Sequence, residues 1–210
     1  MKMKVTKHRN TEVRRKQIIN AAQELIVKYG SEHVTVRRIA KAVDISEAAI
    51  YRHFKNKKAI LALLVDDVEN SLITDLSTVS TNGKSPLEVL ERGLRGPLSV
   101  KRRGVSFQVI AEIISLGDKK LNQKISVFIN KYIERLADLL SQGVKSGELR
   151  EDVDIEAAAT ILFGMMQGLV SIWALSGYKF DAEAKYDTLW SVFRDTVSVK
   201  KDRKTTLRPG

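Results

Sequence analysis

Cysteine is absent from the 210-residue chain. Disulfides, zinc–thiolate centres, iron–sulfur clusters and cysteine nucleophiles are excluded with it. Proline is scarce, at positions 86, 97 and 209 only, and long proline-free stretches suit helices. The longest run without charge, Ala157–Tyr178, is interrupted by Gln167, Ser171, Ser176 and glycines. It is expected to be a buried helix rather than a membrane span. The N-terminus is basic and lacks an apolar core of the secretory kind, so no signal peptide is expected. A cytoplasmic protein without a membrane partner is the expectation. The three histidines, His8, His33 and His53, have no metal-ligand spacing, and neither a Gly-rich phosphate loop nor a Gly-x-Ser-x-Gly elbow occurs. An enzyme, a metal site and a cofactor are therefore not expected.

Positive charge is abundant and unevenly placed. Residues 1–58 carry 15 Lys/Arg against 5 Asp/Glu, and the remaining 152 residues carry 21 against 20. A basic head that meets a polyanion, on an electrically neutral body, fits that asymmetry.

Helical periodicity runs through most of the chain, and no alternating strand pattern appears. Residues 1–10 are expected as a flexible basic arm. Ile18, Ala22, Leu25 and Tyr29 keep helical spacing up to Gly30, a helix stop. Thr35 and Ser46 are suited to cap two short helices, with Val36, Ile39, Ala40 and Val43 inward in one and Ile50 and Phe54 in the other. Asn56 can cap a fourth helix that carries Ile60, Leu61, Leu64, Val65, Val68 and Leu72 on one face. A Ser/Thr/Asn/Gly loop follows over 78–85, then Pro86 at a helix start. Gly93, Gly96 and Pro97 are expected to end or bend that helix. Residues 101–104 look loop-like. Further helices are expected over 105–116, 119–146, 155–176 and 182–199, before a basic tail at 200–210. The fold class is all-α with about nine helices: a helix-turn-helix head (11–58) and a larger helical body (59–199).

The head carries the strongest signal, TVRRIAKAVDISEAAIYRHF at 35–54. Two short amphipathic helices meet at a turn around Val43–Ile45. Ala40 supplies the small side chain at the crossing, and Ile50 plugs the space between the helices. Asp44 occupies a turn position where a left-handed backbone is expected, which Asp adopts at modest cost.

With Gly30, Thr35–Ala40, Ile45–Phe54 and Asn56–Ile60 taken together, the sequence resembles the tetracycline-repressor-like (TetR/AcrR) family of transcriptional regulators. The resemblance covers roughly residues 11–65. Asp44 stands where the family usually has Gly, and Lys55 where Pro is common. The body resembles the family more weakly, through Gly147–Arg150, Asp154 and the Ala/Gly-rich helix after it. Ser71–Thr74 also resembles the family branch that acts in nucleoid occlusion.

A helix-turn-helix places the start of its second helix near base edges in the major groove. Ser46 starts that helix, so Glu47, Ala48 and Ala49 would lie closest to the bases; Glu can accept from cytosine N4, and Ala can touch a thymine methyl. Arg52 is a candidate for base or phosphate. The resemblance implies that Arg37 reaches a guanine, and that Thr35, Tyr51, His53 and Lys57 hold phosphates. In the body, Phe107, Glu112, Phe128, Tyr132, Phe163, Met166 and Trp173 are candidates to line an effector pocket, although such residues at helical spacing are equally suited to plain core. Glu112 could meet a cationic ligand. Gly164, Gly168, Leu189 and Trp190, on the last two helices, are candidates for a dimer surface. The expected function is a homodimeric transcriptional regulator, a repressor released from a palindromic double-stranded DNA operator by a small hydrophobic effector. The alternative is a nucleoid or division-control protein without an effector.

Overall fold

The computed structural model describes residues 2–78, 85–98 and 105–199. The order is α1 (Lys2–Tyr29), a 3-10 turn (Ser31–His33), α2 (Val36–Ala42), α3 (Glu47–Tyr51), α4 (Lys57–Thr78), α5 (Pro86–Arg95), a second 3-10 turn (Gly96–Leu98), α6 (Val105–Ser115), α7 (Lys119–Lys145), α8 (Ile155–Leu175) and α9 (Ala182–Val197). The described residues contain no strand, only an isolated bridge between Leu149 and Ser198. The all-α expectation holds. The loop after Thr78, the 101–104 segment and the 200–210 tail lie mostly or wholly outside the described residues.

Local chemistry sets most helix starts. Thr35, Ser46, Asn56 and Ser85 accept from the backbone N–H of Arg38, Ala49, Ala59 and Glu88 at 3.0–3.2 Å. Asp118, Asp154 and Asp181 cap α7, α8 and α9 in the same way. Each such cap contributes about 1 kcal/mol. One boundary differs. The helix that precedes Gly30 begins at Lys2, so the backbone of the expected N-terminal arm continues α1. Residues 2–29 contain no Gly or Pro to stop it, and Lys and Arg are good helix formers.

Helix α4 is the spine. Ile60, Leu61, Leu64, Val65, Val68, Leu72 and Leu76 are all buried, and the helix packs on α1, α5, α6 and α7. Head and body therefore share one core. On its solvent side α4 is tied to α7 by Lys58–Asp118, Asp66–Lys124 and Glu69–Lys131 ion pairs of 2.5–2.7 Å. These are solvent-screened surface pairs and add little to stability.

Gly93 does not end α5; it lies inside the helix and is buried. A Cβ there would stand 2.7 Å from Leu76 Cδ2 and 3.1 Å from Leu76 Cα. The missing side chain is what lets α5 cross α4 at this distance. Only Gly96 and Pro97 break the helix, in the 3-10 turn that follows.

Helix α8 is half of what was expected. Ala158, Ala159, Leu162, Met166, Leu169, Val170 and Trp173 are buried. The opposite side is apolar too, yet bare: Ile161, Ile172 and Leu175 are exposed, Leu175 by 88%. Gly164 and Gly168 lie on the same side, with open space where a Cβ would project.

Gly93→Ala should destabilise the fold. The gain of about 1 kcal/mol in helix propensity is outweighed by overpacking against the α4 backbone, about 1–3 kcal/mol. Urea unfolding should show a lower midpoint; an unchanged or raised midpoint would mean that α5 can move away from Leu76 freely.

Candidate nucleic-acid interface

The turn between α2 and α3 has the geometry its residues suggest. Asp44 takes φ 51°, and the chain reverses with Ile45 N–H donating to the Ala40 carbonyl at 3.0 Å. Ala40, Ile50 and Phe54 are buried. The core side of α3 is thereby pinned, and its other side is turned outward. Thr35, Arg37, Ser46, Glu47, Ala48, Tyr51 and Arg52 are exposed, while Ala49, His53 and Lys57 are half-buried. Tyr51 is 53% exposed, so its ring is not core.

Neighbouring arginines have different jobs. Arg38 donates to the His33 carbonyl at 3.1 Å and covers the Tyr29 ring at 5.6 Å. It braces the head internally, over a Tyr29 ring that stays at the surface. Arg15 lies over Phe54 at 5.3 Å, tying α1 to the end of α3. Arg37, one residue from Arg38, stands in solvent. Burial, with the charges of Arg52, Arg15 and Arg14, holds the His53 imidazole below its ordinary pKa of 6.5.

Lys57 sits at the first turn of α4, and its Nζ donates to the Ser31 carbonyl at 3.0 Å. Burial lowers its pKa. Ser31 did not stand out in the sequence. Its only signal is its place directly after Gly30, which takes φ 83°.

The body candidates divide. Phe107, Phe128, Tyr132 and Phe163 form a chain of tilted and edge-on ring contacts with centroids 5.9–6.1 Å apart, and Met166 is fully buried. Trp173 lies elsewhere. Its Nε1 donates to the Phe180 carbonyl, and its ring meets Tyr178 edge-on. It lines a separate cavity of about 630 Å³ with Leu98, Tyr178 and Phe180. Glu112 points away from that interior: its Oε2 accepts from Ser31 N–H at 3.0 Å, so it meets the head rather than a cationic ligand. The carboxylate lies on the half of α6 that faces α1.

The last two helices also divide. Trp190 is buried within its own chain, stacked on Tyr186 and packed on Phe193, and so forms no part of an outer surface. Leu189 lines a groove of about 460 Å³ with Ala157, Ile161, Met165 and Val192. Ile161, Ile172, Leu175 and Val192 were missed as surface candidates. For Ile161, Ile172 and Leu175 the signal was present as a helical apolar stripe on α8 running through Gly164 and Gly168, but a stripe alone does not tell core from surface.

A small helix-turn-helix head with an outward recognition helix, mounted on an α-helical body, defines a DNA-binding regulator. The profile described as bacterial regulatory proteins of the tetR family matches residues 18–64, and that of the YsiA-like protein C-terminal region matches 103–195. The chain belongs to the tetR family of transcriptional regulators. A fatty acid metabolism regulator protein of Bacillus subtilis is 27% identical over 80% of this chain and 87% of its own length. A nucleoid occlusion factor SlmA of Vibrio campbellii is 27% identical over 85% of this chain and 93% of its own. The structure of the transcriptional regulator FadR from Bacillus subtilis in complex with stearoyl-CoA superposes with a TM-score of 0.72 at 25% identity, covering 85% of this chain and 96% of that one.

Proton linkage follows from His53. In the free protein its pKa is depressed, so the ring is neutral near pH 7. Phosphates beside His53, where the family resemblance implies them, would favour the imidazolium, so such a DNA-bound state would take up a proton. Affinity for DNA should therefore rise as pH falls from about 7.5 to about 5.5, and His53→Gln should flatten that dependence. A wild-type affinity independent of pH in fluorescence anisotropy titrations would remove His53 from the phosphate contacts.

Proposed function

We propose that the protein is a homodimeric repressor that binds a palindromic operator through residues 11–58 and is released by a long-chain acyl-CoA held in the body, residues 59–199. The observation that carries the DNA half is the capped, outward-facing α3 on a head that holds nearly all the net positive charge. Glu47, Ala48, Ala49 and Arg37 are assigned to base edges. Thr35, Ser46, Tyr51, Arg52, His53 and Lys57 are assigned to the backbone.

Homodimerisation is supported by the bare apolar stripe of α8 and α9. Ile161, Ile172, Leu175 and Val192 are each more than half exposed. Gly164 and Gly168 would let a partner helix approach closely, and Leu189 lines a groove with Ile161 and Val192. A contiguous apolar surface of this kind is a mark of an interaction face. Two heads about a twofold axis would meet two half-sites, which makes the operator palindromic.

The acyl-CoA assignment is supported by the relative named for fatty acid metabolism and by the likeness to FadR in complex with stearoyl-CoA. The aromatic interior of Phe107, Phe128, Tyr132, Phe163 and Met166 has the chemistry to accommodate an acyl chain if α6 moves aside. The effector would act through its preference for a head spacing that does not fit DNA. A cytoplasmic site of action goes with this reading. The SlmA relatives support a second reading, a nucleoid-occlusion factor that needs no effector.

The deciding experiment is selection of bound duplexes from a random library, followed by footprinting over a salt series with and without stearoyl-CoA. The expected result is one palindromic motif, affinity that falls steeply with salt, and at least about tenfold weaker binding with stearoyl-CoA but not with free CoA. Motif occurrences dispersed over the chromosome, with no response to stearoyl-CoA, would favour the second reading. Two variants refine the assignment. Arg37→Ala should relax preference at one operator position, about 1–3 kcal/mol. Ile172→Asp should give a monomer by analytical ultracentrifugation, and a dimer that persists would move the interface elsewhere.

A further inference from the structure

Ser31 is 2% exposed and lies in the turn that leads from α1 into the helix-turn-helix. All its polar groups are engaged; its carbonyl accepts from Val34 N–H inside the 3-10 turn at 3.3 Å, and its other partners lie in other elements. Its N–H donates to Glu112 Oε2 at 3.0 Å. Its Oγ donates to the Glu112 main-chain carbonyl, also at 3.0 Å. Its carbonyl accepts from Lys57 Nζ at 3.0 Å. One buried serine thus joins the head, helix α6 of the body and the first turn of α4.

The two ends of α6 face different surroundings. Phe107 and Ile110 lie in the body interior, Phe107 against the Phe163 ring. Glu112, little more than one turn on, holds the head. A rigid helix of eleven residues cannot shift at one end without shifting the other. The bonds to Ser31 are directional, part-buried and of ordinary length, so a displacement of about 1 Å breaks them rather than stretching them.

We propose that Glu112 and Ser31 form a latch that holds the head in its DNA-binding orientation, with Lys57 kept at the phosphate-facing end of α4 by the same serine. Displacement of α6 opens the latch and frees the head. Glu112 is a positioning residue: it acts on DNA through Ser31 and Lys57 and touches no nucleotide. The path runs from α6 directly to the turn between α1 and α2. It rests on the proposed DNA-binding reading for its readout, and on the acyl-CoA reading only for its coupling arm.

The test compares wild type, Glu112→Ala, Glu112→Gln and Ser31→Ala as full-length proteins on the selected duplex. Glu112→Ala leaves the buried Ser31 N–H without its acceptor. It should weaken DNA binding about tenfold and speed hydrogen exchange over residues 30–42, with exchange in α7 and α8 unchanged. Glu112→Gln keeps an amide oxygen for Ser31 and should restore most of both. In the coupling arm, stearoyl-CoA should weaken DNA binding by a smaller factor in Glu112→Ala than in wild type. Should Glu112→Ala fail to fold, Ser31→Ala, which removes the Oγ bond alone, carries the same readouts at smaller amplitude. Wild-type affinity and wild-type exchange over 30–42 in Glu112→Ala would overturn the latch. So would a loss that Glu112→Gln does not restore. A wild type insensitive to stearoyl-CoA would sink the effector reading alone, since the affinity and exchange arms need no effector.

Discussion

The apolar face of α4 is the constraint on which the rest of the structure depends. Seven side chains from Ile60 to Leu76 must leave water, each contributing about 1.5–3 kcal/mol when buried. The head is too small to cover a face that long, and the body alone would leave its N-terminal end bare. Both must pack on it, so a 22-residue helix becomes a member of two assemblies at once. The orientation of the head is then a property of the whole core. Any change in how α5, α6 or α7 lies on α4 is felt at the DNA-facing end.

Polar contacts complete what apolar packing leaves undetermined. Hydrophobic burial is non-directional and tolerates small rotations of the head. The bonds of Ser31 to Glu112 and Lys57 do not. They sit where the chain has just left α1 through the left-handed Gly30, and their burial raises the penalty for losing a partner. The salt bridges between α4 and α7 lie on the wet side and are correspondingly weak. The discriminating interaction at the head–body junction is the buried one.

Charge and apolar surface are segregated by function. The head concentrates cations and exposes small or polar residues on α3, as a surface that meets phosphates and base edges requires. The far end of the body does the reverse, leaving Ile161, Ile172, Leu175 and Val192 uncovered. Trp190 and Leu189 are adjacent in sequence yet end in different surroundings, one stacked on Tyr186 and packed on Phe193 and one bordering the α8–α9 groove.

Features carried by a single residue or its immediate neighbours were legible in the sequence. The caps at Thr35, Ser46 and Asn56, the helix start at Pro86, the stop at Gly30 and the left-handed turn at Asp44 depend on local chemistry, which a sequence displays directly. The helical period of α4 and the helix-turn-helix spacing are of the same kind, and with them came the fold class and the family. Features that depend on which surface meets which were not legible. Gly93 looked like a helix break and is a crossing point, because only the packing of α5 on α4 makes its missing side chain useful. Glu112 looked like a pocket residue and is a tether, because 81 residues separate it from Ser31. Periodicity identifies a helix face but not what covers it, so the sequence determined the elements and their chemistry. The tertiary structure alone decided which faces are core, which is bare, and which carboxylate holds the head, since those are relations between residues distant in the chain.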